Sequence, residues 1–352
     1  MNRKGRMYLK MILKNILLFF IVFLLLASLI TLGQIRIKKE EAEYTYVSIL
    51  KYIQTNPQLQ EQAKEMGMNN SQYAWYLTYK VLNVKPTFWE SFKYYFKGAI
   101  DIFKAKQTNR YWGTAFYLKN TFSILIIAEV MILIFGLYLG LRAGYNGGIA
   151  EKLVSTLAPF FSAIPAWFVG AILVLILWST GHSPIFWMNI QQAAANNTLN
   201  AMTYIKYYLP PAFTLFLAMV WEYAFTISTF IREEKGEYHV VADKAKGLPD
   251  GRIRKKLLRV ALPSFLTYTT YNFIDILMNL LVVELVFSVP GLGYLLVACF
   301  RVIHKGPNGI YLLYRPQLIF FVSFVILLLY TINSILMEGL YIYLDPRASR
   351  RE

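Results

Sequence analysis

Tyr268, Asn272, Asp275 and Asn279 sit in one apolar run at spacings of four, three and four residues. On a helix that spacing places a phenol, two amides and a carboxylate along one face. Such a stripe can line a water-filled path that tolerates varied solutes, or it can hydrogen-bond a neighbouring helix; both readings stand at this level. Glu129, Glu222 and Glu338 are isolated acids in other apolar runs, expected to pair with polar or basic groups on adjacent helices. Bond-making chemistry has little to work with. His182, His239 and His304 lie far apart in sequence and no H-E-x-x-H occurs, so no catalytic centre is expected. Cys299 is the single cysteine, which rules out a disulfide or a Cys/His zinc site within one chain; no metal or cofactor is expected on it. A G-x-x-x-x-G-K-[ST] loop is also missing, so the sequence offers no cradle for ATP phosphates.

The elements that position these residues follow from hydrophobicity. Of 352 residues, 57% are hydrophobic and only 16% charged, against about 25% charged in an ordinary soluble domain. A helix crossing about 30 Å of hydrocarbon needs about 20 mostly apolar residues. Six windows qualify, at 11–32, 116–141, 153–178, 209–231, 264–288 and 317–341. The expected fold is therefore an all-α polytopic membrane protein with six transmembrane helices. The first window follows the basic start "MNRKGRMYLK" as a secretory signal would. It is longer than a signal core and lacks a small-x-small cleavage site, and reads as an anchor. Pro159 and Pro165 are expected to bend the third.

Net charge is +16, which in a soluble protein would suggest nucleic acid. Here location decides otherwise. Nineteen Lys/Arg fall before or at the start of window one, between windows two and three, between four and five, and after six, whereas the opposite short loops carry four. That asymmetry puts both termini in the cytoplasm of a cell-membrane protein, with nucleic acid not a partner. The divisions expected are a cytoplasmic N-terminus with the first span at 1–32, an extracytoplasmic helical subdomain at 33–115, a core of spans two to six at 116–341, and a cytoplasmic tail at 342–352. Within 33–115, "NPQLQEQAKEMG", "NNSQYAWYLTYKVL" and the segment after Pro86 each read as a helix. That subdomain could meet a partner or simply pack on the spans.

Between spans four and five lies a cytoplasmic loop, 232–263, containing "KAKGLPDGRIRKKLLRVALPSF". Gly247 is expected to stop one short helix through a left-handed cap, Pro249 to prevent its continuation, and Asp250 to cap a second helix. In the second, Ile253, Leu257 and Ala261 share a face opposite Arg252, Arg254, Lys255, Lys256 and Arg259. A solvated topology-setting loop and an amphipathic helix lying on anionic lipid are the plain readings.

The stretch "YHVVADKAKGLPDGRIRKKLLRVALPS" resembles the signature loop of ATP-binding-cassette importer permeases, which docks into a cleft on a separate ATPase subunit. More narrowly, "ELVFSVPGLGYLL" (284–296), "FFSAIPAWFVG", "NVKPTFWESFKYYFKG" and the terminal "LDPR" are similar to the B-type subunit of the oligopeptide/dipeptide permease family, so the resemblance covers essentially the whole chain. Asp243 departs from it, since a small residue is usual there, and the link from Gly247 to "VALPS" is a few residues longer than typical.

The resemblance implies a type I importer permease fold. It assigns ATPase coupling to Tyr238, Ala242, Asp243, Ala245, Gly247, Leu248, Arg252 and Ile253. From the residues themselves, the path reading takes the stripe Tyr268, Asn272, Asp275 and Asn279, with Glu284 added from the matched segment, and Pro290, Gly291 and Gly293 read as a structural turn. The resemblance further implies a second homologous permease, two ATP-binding subunits carrying the ATP and Mg, an extracytoplasmic solute-binding protein, and short peptides or similar-sized solutes as cargo. An oligosaccharide-specific member of the family, and an ion-coupled secondary transporter using Asp275 and Glu222, are the alternatives.

Overall fold

A computed structural model describes residues 3–82, 87–106, 113–304 and 310–344. The expected tail motif "LDPR" and Pro86 fall outside the described residues. Helix dominates, as the composition demands: α1 (Arg3–Thr55), α2 (Pro57–Glu65), α3 (Asn70–Leu82), α4 (Phe88–Phe103), α5 (Thr114–Asn146), α6 (Gly148–Ser162), α7 (Ala166–Ser179), α8 (Phe186–Ala195), α9 (Ala201–Lys235), α10 (Tyr238–Ala245), α11 (Asp250–Val286), α12 (Leu292–Ala298) and α13 (Pro316–Leu344). An antiparallel ribbon of β1 (Phe300–His304) and β2 (Ile310–Tyr314), registered Phe300 to Tyr314 and His304 to Ile310, adds a small strand element that the hydrophobic pattern had not indicated.

Five helices, α1, α5, α9, α11 and α13, are long and apolar enough to cross a membrane, and α6 with α7 makes a sixth span if taken together. Three boundaries differ from the sequence reading. First, α1 does not end at Gly33. It runs on through "QIRIKKEEAEYTYVSILKYIQT", a segment of good helix formers with Arg36 and Glu40 paired at 3.4 Å, and stops only where Asn56 and Pro57 start α2. Second, the third span is broken: α6 and α7 meet at 99°. Pro159 remains inside α6, and the break falls where Pro165, extended at φ −60°, ψ 138°, opens α7. Third, the basic helix and span five are one helix, α11, which absorbs Pro263.

The chain forms two compact units. One contains 20–105 and 299–324. Within it, Ile53, Ala63, Tyr73 and Ala74 form a core joined by Leu50, Leu59 and Leu77, which folds α2 and α3 back on the end of α1. Elsewhere in this unit Phe23 meets Phe96 and Phe320, while Gly98 leaves room for the Gln317 side chain.

The other unit contains 1–19, 106–298 and 325–352. Its centre is the contact of α5 with α9. Gly136, Gly140 and Gly144 line one edge of α5 and sit successively against Tyr223, Ala224 with Ile227, and Ser228 with Ile231, so the two helices run parallel in close approach. A Cβ on Gly140 would lie 2.7 Å from the Ala224 carbonyl oxygen, and one on Gly144 2.6 Å from that of Ser228. In the same unit Glu338 accepts from Asn15 at 3.2 Å and pairs with Lys14 at 3.6 Å, the polar partnering expected of an acid in a span.

Candidate functional site

The loop between α9 and α11 folds as a knuckle. Its short helix α10 buries a single residue, Val240, and ends in a Schellman cap: Leu248 N–H reaches the Asp243 carbonyl at 3.1 Å and Gly247 N–H that of Lys244 at 2.9 Å. Gly247 takes φ +70°, the left-handed conformation the sequence called for, and has open space around it. Tyr238, at 91% exposure, presents a bare aromatic to solvent, and Ala242, Ala245 and Arg252 are also exposed. Leu248 is half-buried. Ile253 is buried, as are Leu257 and Ala261 on the same face of α11. Asp243 is bound by Lys256 of α11, which explains how an acid is held where a small residue is usual. That ammonium, hydrogen-bonded to the carboxylate, draws Asp243 below the ordinary aspartate range.

Asp250 does not cap α11 as the sequence suggested. Pro249 holds the cap position, and Asp250 is the first helical residue, where its charge still suits the helix N-terminus. Its carboxylate accepts a 2.6 Å hydrogen bond from the Tyr145 hydroxyl at the end of α5. Two cations stand over the Tyr145 ring: Lys235 Nζ is 5.2 Å from its centroid and donates to the Tyr145 carbonyl at 2.6 Å, and the Arg254 guanidinium is 5.0 Å away. One tyrosine thereby straps the ends of α5, α9 and α11 together. Sequence reasoning missed it, because nothing in "AGYNG" indicates a partner 105 residues away.

The polar stripe of α11 divides. Tyr268 donates to Glu222 of α9 at 2.7 Å, and Asn272 reaches the same oxygen at 3.4 Å, so these two make interhelical hydrogen bonds. Asp275 is exposed and Asn279, half-buried, donates to its carbonyl at 2.9 Å. Two of the four stripe residues thus make interhelical hydrogen bonds.

Glu284, grouped with the path, is in the last turn of α11 and fully buried against the turn that follows. Its two oxygens accept from Thr121 Oγ1 at 2.5 Å and Gly293 N–H at 2.7 Å. Thr121 in turn accepts from Leu292 N–H, and Asn120 donates to the Pro290 carbonyl at 2.8 Å while accepting from Tyr208. Side chains at Gly291 and Gly293 would collide with the Glu284 carboxylate and the Leu281 carbonyl, so both glycines are needed for close approach. Ser288 completes the turn in a left-handed conformation, φ 52°.

The Gly136-x-x-x-Gly140-x-x-x-Gly144 spacing was a readable signal for helix contact that the polar motifs overshadowed. Among the described residues, no group of three His, Cys, Asp or Glu lies within reach of a common metal ion.

Over 184 residues the chain is 24% identical to the metal-staphylopine import system permease protein CntB of Staphylococcus aureus strain NCTC 8325 / PS 47, and equally to that of strain Mu50 / ATCC 700699. The match covers 52% of this chain and 54% of each relative, so the chain spans about half the length of the curated relatives it matches. Residues 132–350, more than half of the sequence, match the family described as binding-protein-dependent transport system inner membrane component, and the chain belongs to that family.

Proposed function

We propose that this chain is a permease subunit of an ATP-driven importer, with both termini in the cytoplasm, and that α10 and Gly247 dock on a separate ATPase whose closure they transmit to the spans. The observation that carries the reading is the form of the knuckle. A short helix exposes Tyr238, Ala242 and Ala245 to a neighbour while Val240 and Ile253 root it in the chain. The Tyr145 strap supports the mechanical part. Force on the start of α11 reaches α5 and α9 through one buried ring and two cations, as a rigid-body mechanism requires.

A second homologous permease, two ATP-binding subunits and an extracytoplasmic solute-binding protein complete the proposed assembly. The cargo proposed is short peptides or solutes of similar size, and the name of the similar Staphylococcus aureus permeases adds metal complexes to the candidates. Gly247→Glu tests the docking role. The substituted chain should reach the membrane and assemble, yet the complex should lose solute-stimulated ATP hydrolysis; stimulation at the parent level would reject the docking assignment. Uptake that survives without any ATPase subunit and collapses with an ion gradient would instead establish ion coupling.

A further inference from the structure

Three acids lie in membrane helices without a cation to answer them. Glu129 is on α5, Glu222 on α9 and Asp275 on α11. Their helices carry no Lys or Arg from 120 to 141, from 207 to 231 and from 260 to 286. Among the described residues, none of the three forms an ion pair. Carboxylates in hydrocarbon are costly, so uncompensated ones mark a functional place more often than a structural one.

A second observation points to a ligand. Tyr223 on α9 is completely buried, and its hydroxyl has no hydrogen-bond partner. The ring stands edge-on to Tyr268 at 5.2 Å, and its phenol is in electrostatic range of Tyr268, Glu129, Glu222 and Asp275. Glu129 likewise has a buried, unpartnered Oε1. A buried hydroxyl and a buried carboxylate oxygen left open beside two further acids form a hydrogen-bond-accepting, cation-attracting site. Glu129, seven residues before Gly136, is on the edge of α5 that packs against α9. Asp275 is exposed on this chain and gives the site an opening.

We infer that Glu129, Glu222 and Asp275, with the Tyr223 and Tyr268 hydroxyls, form an intramembrane subsite for an organic cation, an ammonium or guanidinium group carried by the transported solute. The acids do not come together closely enough to ligate one metal ion, whereas an alkylammonium several ångströms long can answer them in turn. Tyrosine rings at its sides suit such a cation. The inference rests on the proposed import function and adds charge selection by the permease to it, independent of any selection made outside the membrane.

The test labels a single cysteine, Asn272→Cys in a Cys299→Ser background, in the assembled complex in lipid nanodiscs with and without ATP. Two thiol reagents are compared, a trimethylammonium-ethyl and a sulfonato-ethyl methanethiosulfonate. The cationic reagent should react faster by about tenfold or more. That preference should collapse when Glu129 and Glu222 become Gln, and tri-lysine at millimolar concentration should slow labelling where tri-alanine does not. Equal rates for the two reagents, a preference that survives neutralisation, equal effects of the two peptides, or no labelling at all would each overturn the inference. Gel filtration and ATP hydrolysis on the same preparations check the import reading separately. A complex that shows charge-selective labelling without solute-stimulated hydrolysis would sink the import function and leave the cation site standing.

Discussion

The Tyr145 hydroxyl donates to Oδ1 of Asp250 at 2.6 Å, joining the last turn of α5 to the first turn of α11. The bond lies beside the knuckle and not within it, and leaves the outer face of α10 exposed. Because Lys235 and Arg254 flank the same ring, the phenol and its backbone are both held.

Tyr145→Phe keeps the ring beside Lys235 and Arg254 and removes only the bond to the carboxylate. A hydrogen bond to a charged group contributes about 1.5–3 kcal/mol, so thermal stability should fall measurably while assembly persists. Solute taken up per ATP hydrolysed should fall as well; proteoliposome transport with parallel phosphate release measures it, and an unchanged ratio argues against the strap as a transmission element.

Gly140→Ala should force α5 away from α9, since the added methyl meets the Ala224 carbonyl and the Ile227 side chain. Overpacking of this kind costs about 1–3 kcal/mol. Gly33→Ala is the matched control: it is helical with nothing within 4 Å, and should be neutral or stabilising by about 0.5–1 kcal/mol. Thermal unfolding in detergent distinguishes the two, and equal melting temperatures would refute the close contact.

Glu284→Gln should loosen the Ser288–Gly293 turn, because an amide supplies one acceptor where Thr121 and Gly293 need two. Leaving a buried donor unpaired costs about 1–3 kcal/mol. A double-mutant cycle with Thr121→Val should return a coupling energy above zero, and additive losses would refute the clamp. Conversely, Ser288→Gly should stabilise the fold by about 1 kcal/mol, as it relieves a left-handed residue.

Asp243 should titrate below an ordinary aspartate, with Lys256 as the main cause and Lys246 and His239 assisting. A carboxylate whose folded pKa is depressed stabilises the fold above its unfolded pKa and loses that contribution as pH falls through the folded value. The knuckle is therefore unaffected near neutrality and loosens only under acid conditions below the normal aspartate range. Carboxyl-carbon NMR of Asp243 reads this directly. Lys256→Met should move the titration back up, and no movement would remove Lys256 as its cause.

Much of the fold was legible one residue at a time. Five of the six apolar windows fall on single long helices and the third on the bent pair α6 and α7, and Gly247 takes the left-handed conformation its place between two helical segments demanded. Boundaries were less legible where a breaker was weak or absorbed. Gly33 has no steric reason to end α1, and Pro263 is tolerated inside α11, so neither punctuates the structure as its residue type suggested.

The sites divide in the same way. Hydropathy, charge placement and the alignment of Tyr268, Asn272, Asp275 and Asn279 on one face are properties of neighbours within a helix, and a 3.6-residue period reveals them from sequence alone. Which helix faces which acid is a matter of packing. Tyr145 found Asp250, Glu284 found Thr121, and Glu129 came to stand near Tyr223 where three glycines let α5 lie against α9. Contacts between different helices depend on interhelical distance and rotation, which local pattern leaves free and close packing of side chains fixes.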